Sequence, residues 1–282
     1  MSAIVVDSGL DIPTALLDQY GIVEIPAHVH WQGRQYRDKV DLDVEEMFAQ
    51  GRESKDFLTT SQPSPGEFFA AYLRIAEKAG TILSWHTASA LSGTYASAQA
   101  GAKMTGKDIQ VFDTRSVSMG GGLQALAAAE VLAAGGDIQE AKAAACKVRE
   151  RINIRLVLDT LDYVLKGGRI SRLEAKVGSL LSIKPMLAIK DGVISHAGRT
   201  RTRRRSLEQL LKAVTDACSS FDGKGFVVAL GHACALEEMK EFMSQLLIKL
   251  PRTLVIPYRV GVGIGAHGGP GVLGACYYNR DS

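Results

Sequence analysis

Two hydroxyl side chains, those of Thr60 and Ser61, lie just before a predicted helix near the front of the chain. Ser64 is the expected N-cap of that helix, Pro65 suits its first position, and Glu67 stands where a capping box requires an acidic side chain. The first turn of a helix offers N–H groups without intrahelical acceptors and the positive end of the helix dipole. We therefore expect Thr60 and Ser61 to lie near backbone groups that can bind an anion.

A second segment of the same character contains Ser92 and Gly93, just before a helix predicted over residues 95–104. Two helix starts of this kind can converge on one carboxylate, which is costly to bury unless several donors meet it. The hydroxyls of Thr60 and Ser92 are then the side-chain donors. In the alternative interpretation both residues only cap helices or form turns, and the residues alone leave that alternative open.

Arg169 and His267 are the remaining candidates for contact with an acidic group. Arg169 follows two glycines at the end of a short predicted helix, where a left-handed turn can direct its guanidinium at a site. His267 lies within the glycine-rich residues 261–271, so the backbone can approach its ring closely. A solvated arginine and a structural histidine are the alternative interpretations of the two positions.

The glycine-rich stretch contains a formal GxGxxG at Gly263, Gly265 and Gly268, which we do not interpret as a dinucleotide site. Such a site needs a following helix and an acidic residue about 20 positions later. The sequence also lacks a GxxxxGK[ST] loop, so we expect no ATP site, and no metal or other cofactor. Ser92 with His267 as its base would define a hydrolase, but no GxSxG elbow surrounds Ser92 and we expect no catalytic residue.

A cluster of arginines occupies residues 199–205. Residues 199–203 are predicted to form a short strand, which would place Arg199, Arg201 and Arg203 on one face. This face is either simply solvated or a docking surface for an acidic partner or an anionic membrane. No nucleic-acid recognition motif accompanies it, so we expect no nucleic-acid partner.

The composition indicates an ordinary globular protein. Its 282 residues include 33 Lys and Arg against 30 Asp and Glu, and the formal net charge of +3 is too small to indicate nucleic-acid binding. The four cysteines show neither CxxC nor zinc-ligand spacing, and we expect no disulfides. The first residues lack the basic and apolar regions of a signal peptide, and no apolar run could span a bilayer, so we expect a cytoplasmic protein.

The order of predicted elements indicates an α/β fold with two domains. Strands and helices alternate over residues 1–152, which predicts an N-terminal domain with a βαβ-type, mostly parallel sheet. Residues 21–31 are predicted to form one of its strands. After residue 152 short hairpin strands mix with helices, which predicts a C-terminal α+β domain over residues 153–282.

Four motifs occur in order along the chain: TSQPSPGEF at 60–68, SALSGTY at 89–95, KGGRI at 166–170 and HGGPG at 267–271. In this order and spacing they resemble the DegV family of bacterial fatty-acid-binding proteins over essentially the whole chain. The resemblance implies a DegV-like fold that binds a long-chain fatty acid between its two domains.

The resemblance also assigns roles to the candidate residues. It implies that Thr60, Ser61, Ser92 and Gly93 hold the fatty-acid carboxylate, and it places His267 at that carboxylate. Arg169 would supply charge near the head group or face the partner. The implied partner is a separate ATP-binding kinase subunit that forms an acyl phosphate for phospholipid metabolism. Transient contact with a membrane surface is expected only from the arginine cluster. Two alternatives stay open: a self-sufficient hydrolase or transferase of small acyl substrates, and a lipid-sensing interaction protein without a kinase partner.

Overall fold

The computed structural model of the protein describes residues 2–51, 58–169 and 183–280. In chain order its strands are β1 (Ser2–Asp7), β2 (Val23–Ile25), β3 (His28–Trp31), β4 (Arg34–Arg37), β5 (Thr59–Ser61), β6 (Thr81–His86), β7 (Ile109–Asp113), β8 (Asn153–Val157), β9 (Lys184–Lys190), β10 (Val193–Thr200), β11 (Phe226–His232), β12 (Leu254–Arg259) and β13 (Leu273–Asn279). Its helices are α1 (Thr14–Tyr20), α2 (Val44–Gly51), α3 (Pro65–Ala76), α4 (Thr94–Thr105), α5 (Met119–Ala133), α6 (Ile138–Arg151), α7 (Asp162–Lys166), α8 (Arg203–Asp216), α9 (Leu236–Lys249) and α10 (Val262–Gly268).

The described residues form two compact units, each assembled from separate stretches of the chain. Those within Met1–Asp43, Asp56–Glu150 and Gly261–Gly263 form unit 1, and those within Val44–Lys55, Arg151–Val260 and Ile264–Ser282 form unit 2. The simpler division into residues 1–152 and 153–282 stays a prediction. Across the described ranges, no helix combines the length and the apolar character that a membrane span requires.

Unit 1 is built on a parallel sheet with the strand order β2-β1-β6-β7. Phe68 and Tyr72, four residues apart on α3, share one helix face and pack with Ala98 of α4 against Val5 and Ile82 of the sheet. Parallel neighbours joined through helices are the βαβ arrangement that the alternation of elements predicts. The α/β fold class is therefore confirmed.

A three-stranded antiparallel sheet of unit 1, with the order β4-β3-β5, carries the first candidate segment. The prediction of one continuous strand over residues 21–31 is wrong, because β2 pairs with β1 whereas β3 pairs with β4 and β5. Pro26 lies between β2 and β3 and has no N–H to donate to a ladder, so the strand is interrupted there.

Unit 2 is built on a mixed sheet with the order β10-β9-β8-β13-β11-β12. Only β11 and β12 pair in parallel among these neighbours. Leu210 and Val214 of α8 and Phe242 and Leu246 of α9 belong to the buried cluster over this sheet. Antiparallel pairs combined with packed helices agree with the α+β character predicted for the later part of the chain.

The arginine-rich residues 199–205 do not form the strand predicted over 199–203. β10 ends at Thr200, and the side chain of Thr202 accepts a hydrogen bond from the backbone N–H three residues further on. Thr202 is therefore the N-cap of α8, and Arg203 is already helical. The prediction that alternate arginines share one strand face is wrong, because a capping side chain starts a helix inside the run.

The glycine-rich residues 261–271 contain α10, a helix that the sequence analysis did not predict. Gly269 and Gly271 follow it with φ angles of 80° and 83°, in the left-handed region that glycine adopts without strain. His267 consequently lies in the last turn of a short helix. Helix α10 spans the GxGxxG residues themselves and ends at Gly268, and the next element is β13, so the following helix that a dinucleotide site requires is missing from the described residues.

Candidate functional site

Thr60 and Ser61 lie on β5 and direct their side chains to opposite faces of the three-stranded sheet. Thr60 pairs with Val29, which is fully buried, and Ser61 pairs with His28. Adjacent residues of a strand alternate between faces, and the hydroxyl of Ser61 lies 2.8 Å from Nε2 of His30 on its own face. The two hydroxyls therefore lie on opposite faces of the sheet and do not act side by side.

The helix start that follows β5 has the predicted capping box. The backbone N–H and the hydroxyl of Ser64 donate to Oε2 of Glu67 at 2.8 and 2.7 Å, and the backbone N–H of Glu67 donates to the hydroxyl of Ser64 at 3.2 Å. Nε2 of His28 lies 2.9 Å from Oε1 of the same carboxylate. Partial burial acts to raise the pKa of Glu67, but the hydrogen bonds from Ser64 and the contact with His28 outweigh it and lower that pKa.

Replacing Ser64 with alanine is expected to lower the free energy of unfolding by about 1 kcal/mol, because the cap is lost and a backbone donor of α3 loses its acceptor. Urea unfolding followed by circular dichroism measures the change. Ser64→Thr keeps a capping hydroxyl and is the matched control. Equal loss of stability in both variants would show that the capping hydrogen bond is not the cause.

The second candidate segment forms a turn before α4. The hydroxyl of Ser92 lies 2.8 Å from Oγ1 of Thr94 and accepts a hydrogen bond from the backbone N–H of Thr94 at 3.3 Å. Gly93 is the N-cap and has no side chain to bond the first turn. Ser92 is thus a turn residue, as the alternative interpretation expected, and it also presents a hydroxyl oxygen at a helix start.

The two candidate segments converge within unit 1. A methyl group on Gly93 would lie 2.7 Å from Nε2 of Gln62, so the loop after β5 lies directly against the turn before α4. Behind them, a methyl group on Gly101 of α4 would lie 2.8 Å from the carbonyl oxygen of Pro65, in the first turn of α3. Only a glycine allows α4 to approach the start of α3 so closely, and this approach brings the two helix starts together.

Arg169 and His267 lie in unit 2, and both side chains approach Gly167 closely. Nη1 of Arg169 donates to the carbonyl oxygen of Gly167 at 2.5 Å, and a methyl group on Gly167 would overlap Nδ1 of His267. Burial, reinforced by the positive charge of Arg169, lowers the pKa of His267 to about 4. The imidazole is therefore neutral at pH 7 and can donate one hydrogen bond and accept another. Ile170, the last residue of the third motif, lies outside the described residues.

Sequence reasoning missed the histidines that flank the first segment. His28 and His30 lie on one face of β3, and Nδ1 of His28 is 3.1 Å from Nε2 of Gln35. Their spacing of two in a predicted strand was the available signal. Within residues 2–51, 58–169 and 183–280, no group of three or more His, Cys, Asp or Glu is arranged to hold a metal ion.

The fold and the donors define a mixed α/β protein in which two hydroxyl-bearing helix starts converge. The family model described as "Uncharacterised protein, DegV family" matches residues 1–280, and the chain belongs to the DegV family. A DegV domain-containing protein of Deinococcus radiodurans is 34% identical over 274 residues, with 96% of each chain covered.

Two solved structures show the same fold over 99% of both chains. The first is a DegV family protein from Thermus thermophilus, described by its fatty-acid binding, with a TM-score of 0.90 and 32% identity. The second is DegV of Bacillus subtilis, described as a fatty acid binding protein, with a TM-score of 0.91 and 29% identity.

Proposed function

We propose that this protein binds a long-chain fatty acid and presents its carboxylate to a separate ATP-dependent kinase subunit. The observation that carries the first part is the contact between Gln62 and Gly93, which brings two hydroxyl-bearing helix starts together. The two solved relatives are described by their fatty-acid binding, which supports a fatty-acid carboxylate as the anion bound between these helix starts.

The proposed carboxylate ligands in unit 1 are the hydroxyls of Thr60 and Ser92. Ser61 contributes through its backbone, since its hydroxyl contacts His30, and Gly93 contributes a backbone N–H at the start of α4. A carboxylate that accepts several such bonds is stabilised without a metal ion. That Arg169 and His267 act on the same carboxylate stays a prediction, to which the neutral imidazole of His267 and the cation beside it are suited.

An acyl tail supplies most of the expected affinity. Each buried methylene contributes about 0.8 kcal/mol, so about 14 methylenes contribute roughly 11 kcal/mol before the costs of association. Those costs remove several kcal/mol, and a remainder of about 8 kcal/mol corresponds to a dissociation constant of roughly micromolar from the tail alone.

Mass spectrometry tests lipid binding directly. The purified full-length chain is extracted with organic solvent, and the delipidated protein is titrated with oleate and with methyl oleate under native conditions. We expect a fatty acid in the extract, one oleate per chain, and weaker binding of methyl oleate, which keeps the tail but lacks the charged acceptor. Equal binding of the two ligands would overturn the carboxylate site, and binding of neither would overturn the proposed function.

A reconstituted reaction tests the kinase part of the proposal. One carboxylate oxygen would attack the γ-phosphorus of ATP, ADP would leave, and an acyl phosphate would remain. The protein is loaded with carbon-14-labelled oleate and incubated with ATP, a purified fatty acid kinase subunit and hydroxylamine. Hydroxylamine converts an acyl phosphate into a hydroxamate. We expect labelled hydroxamate only when both proteins and ATP are present. Its formation without the kinase subunit would indicate a self-sufficient enzyme.

A further inference from the structure

Two buried carboxylates of unit 1 bind the backbone at residues 261–263. Asp11 and Asp38 are each 1% exposed. The N–H of Gly261 donates to Oδ1 of Asp11 at 2.8 Å, and the N–H of Gly263 donates to Oδ1 of Asp38 at 3.1 Å. The two bonds join residues separated by 250 and 225 positions along the chain.

The other oxygen of each carboxylate is held by a hydroxyl group. Ser118 donates to Oδ2 of Asp11 at 2.6 Å, and Ser8 donates to Oδ2 of Asp38 at 2.8 Å. Ser8 in turn accepts a hydrogen bond from the N–H of Ala27 at 3.0 Å. These hydroxyl bonds therefore orient both carboxylates so that their Oδ1 atoms can accept from the N–H groups of Gly261 and Gly263.

The approach of the carboxylates explains why residues 261 and 263 are glycines. A methyl group on Gly263 would lie 2.8 Å from Oδ2 of Asp38. A methyl group on Gly261 would lie 3.1 Å from Oδ1 of Asp38 and 3.2 Å from Oδ1 of Asp11. A side chain at either position would push the acceptors away from the N–H groups that they bind.

These bonds fall at the start of α10, which is seven residues long and has His267 in its last turn. The first N–H groups of a helix have no acceptor within it, and a helix of two turns is not stable by itself in water. Acceptors supplied from outside the helix therefore decide whether the helix forms. Asp11 and Asp38 supply these acceptors from positions 250 and 225 residues earlier in the chain.

We propose that Asp11 and Asp38 are positioning residues for His267, because they hold the first turn of α10 and thereby keep the helix that presents the imidazole. This inference rests on the proposed function, in which His267 acts on the bound carboxylate. The carboxylates act through the backbone of residues 261–263, and no contact with lipid is required of them.

Position 11 offers a matched pair of variants. Asp11 has a φ of 51°, in the left-handed region that asparagine and glycine both tolerate. Asp11→Asn keeps an oxygen for the N–H of Gly261 and a donor for Ser118, whereas Asp11→Gly removes the acceptor without adding backbone strain. We expect Asp11→Gly to release oleate at least 10-fold faster than the unsubstituted protein, and Asp11→Asn to release it at nearly the original rate.

A double-mutant cycle with His267→Ala separates positioning from general destabilisation. If Asp11 acts through His267, the double variant releases oleate no faster than His267→Ala alone. Multiplicative effects of the two substitutions would overturn the proposal. If His267→Ala retains oleate as well as the unsubstituted protein, the role of His267 in the proposed function fails.

Amide hydrogen exchange of residues 262–268, measured in the delipidated full-length chain, tests the anchoring independently of lipid. We expect faster exchange in Asp11→Gly and in Gly263→Ala, which displaces Asp38, and unchanged exchange in His267→Ala. Gly80→Ala is the control, because a methyl group there meets no atom within 4 Å. Unchanged exchange in Gly263→Ala would overturn the proposal even if Asp11→Gly failed to fold.

Discussion

Replacing Thr60 with valine and Ser92 with alanine in one chain is expected to weaken oleate binding by roughly 100-fold or more. A hydrogen bond to a charged group contributes about 1.5–3 kcal/mol, and the double variant removes two such donors while the tail contacts stay. Displacement of a fluorescent fatty acid measures the affinity, and circular dichroism verifies the fold. Valine keeps the shape of threonine, so packing around β5 is preserved.

The same chain provides matched controls for both substitutions. Thr59→Val changes the neighbouring threonine of β5, which is exposed and lies on the opposite face from Thr60. Ser89→Ala removes a hydroxyl three residues before Ser92 that donates to Asp113. Both controls should bind oleate normally. If the double variant also did so, the carboxylate would have to be assigned to other donors.

Replacing Asp11 with asparagine is expected to raise the free energy of unfolding by a few kcal/mol at pH 8 and to change this free energy little at pH 4. Burial raises the pKa of Asp11 to about 7 from 3.8, and the nearby carboxylate of Asp38 acts in the same direction, against Lys39 and the hydrogen bonds from Ser118 and Gly261. Between these pH values the folded chain keeps a proton that the unfolded chain releases. The free energy of unfolding therefore falls as pH rises from about 4 to above 7, by about 4 kcal/mol for this group.

Asparagine removes this titration and keeps both hydrogen bonds, so the variant should lose that part of the pH dependence. Urea unfolding at pH 4, 6 and 8 measures it, with the exposed Asp18→Asn as the control. Burial also raises the pKa values of Asp38 and Glu24, so a pH dependence of the same sign should persist in Asp11→Asn. Parallel stability curves for Asp11→Asn and the unsubstituted protein would contradict the raised pKa of Asp11.

The features predicted correctly from sequence are those that local chemistry determines. The capping box at Ser64 and Glu67 needs only residues within one turn, and it forms as expected. Helix α10 was missed because a glycine-rich segment has low helix propensity. Its first turn is held by Asp11 and Asp38, and no pattern within residues 261–271 reveals acceptors so far away in the sequence.

The local features of the candidate site were predictable from the sequence, whereas the contacts between its segments were not. The hydroxyl segments around Thr60 and Ser92 were recognised, but their convergence depends on Gln62 and on the small size of Gly93. The sequence also grouped Thr60 with Ser61, which strand alternation directs to opposite faces. Thr202 at the start of α8 was misread because a threonine before arginines suits an extended strand as well as an N-cap.

The contribution of Gly261–Gly263 to unit 1 has a consequence for synthesis on the ribosome. Asp11 and Asp38 emerge early, whereas the backbone donors that they bind emerge 250 and 225 residues later. Until then each carboxyl group has its hydroxyl donor, Ser118 or Ser8, but lacks the backbone donor at Gly261 or Gly263, and the oxygen that this donor binds must stay hydrated or protonated. Unit 1 can therefore complete its interior only after Arg151–Val260, which belong to unit 2, have been translated.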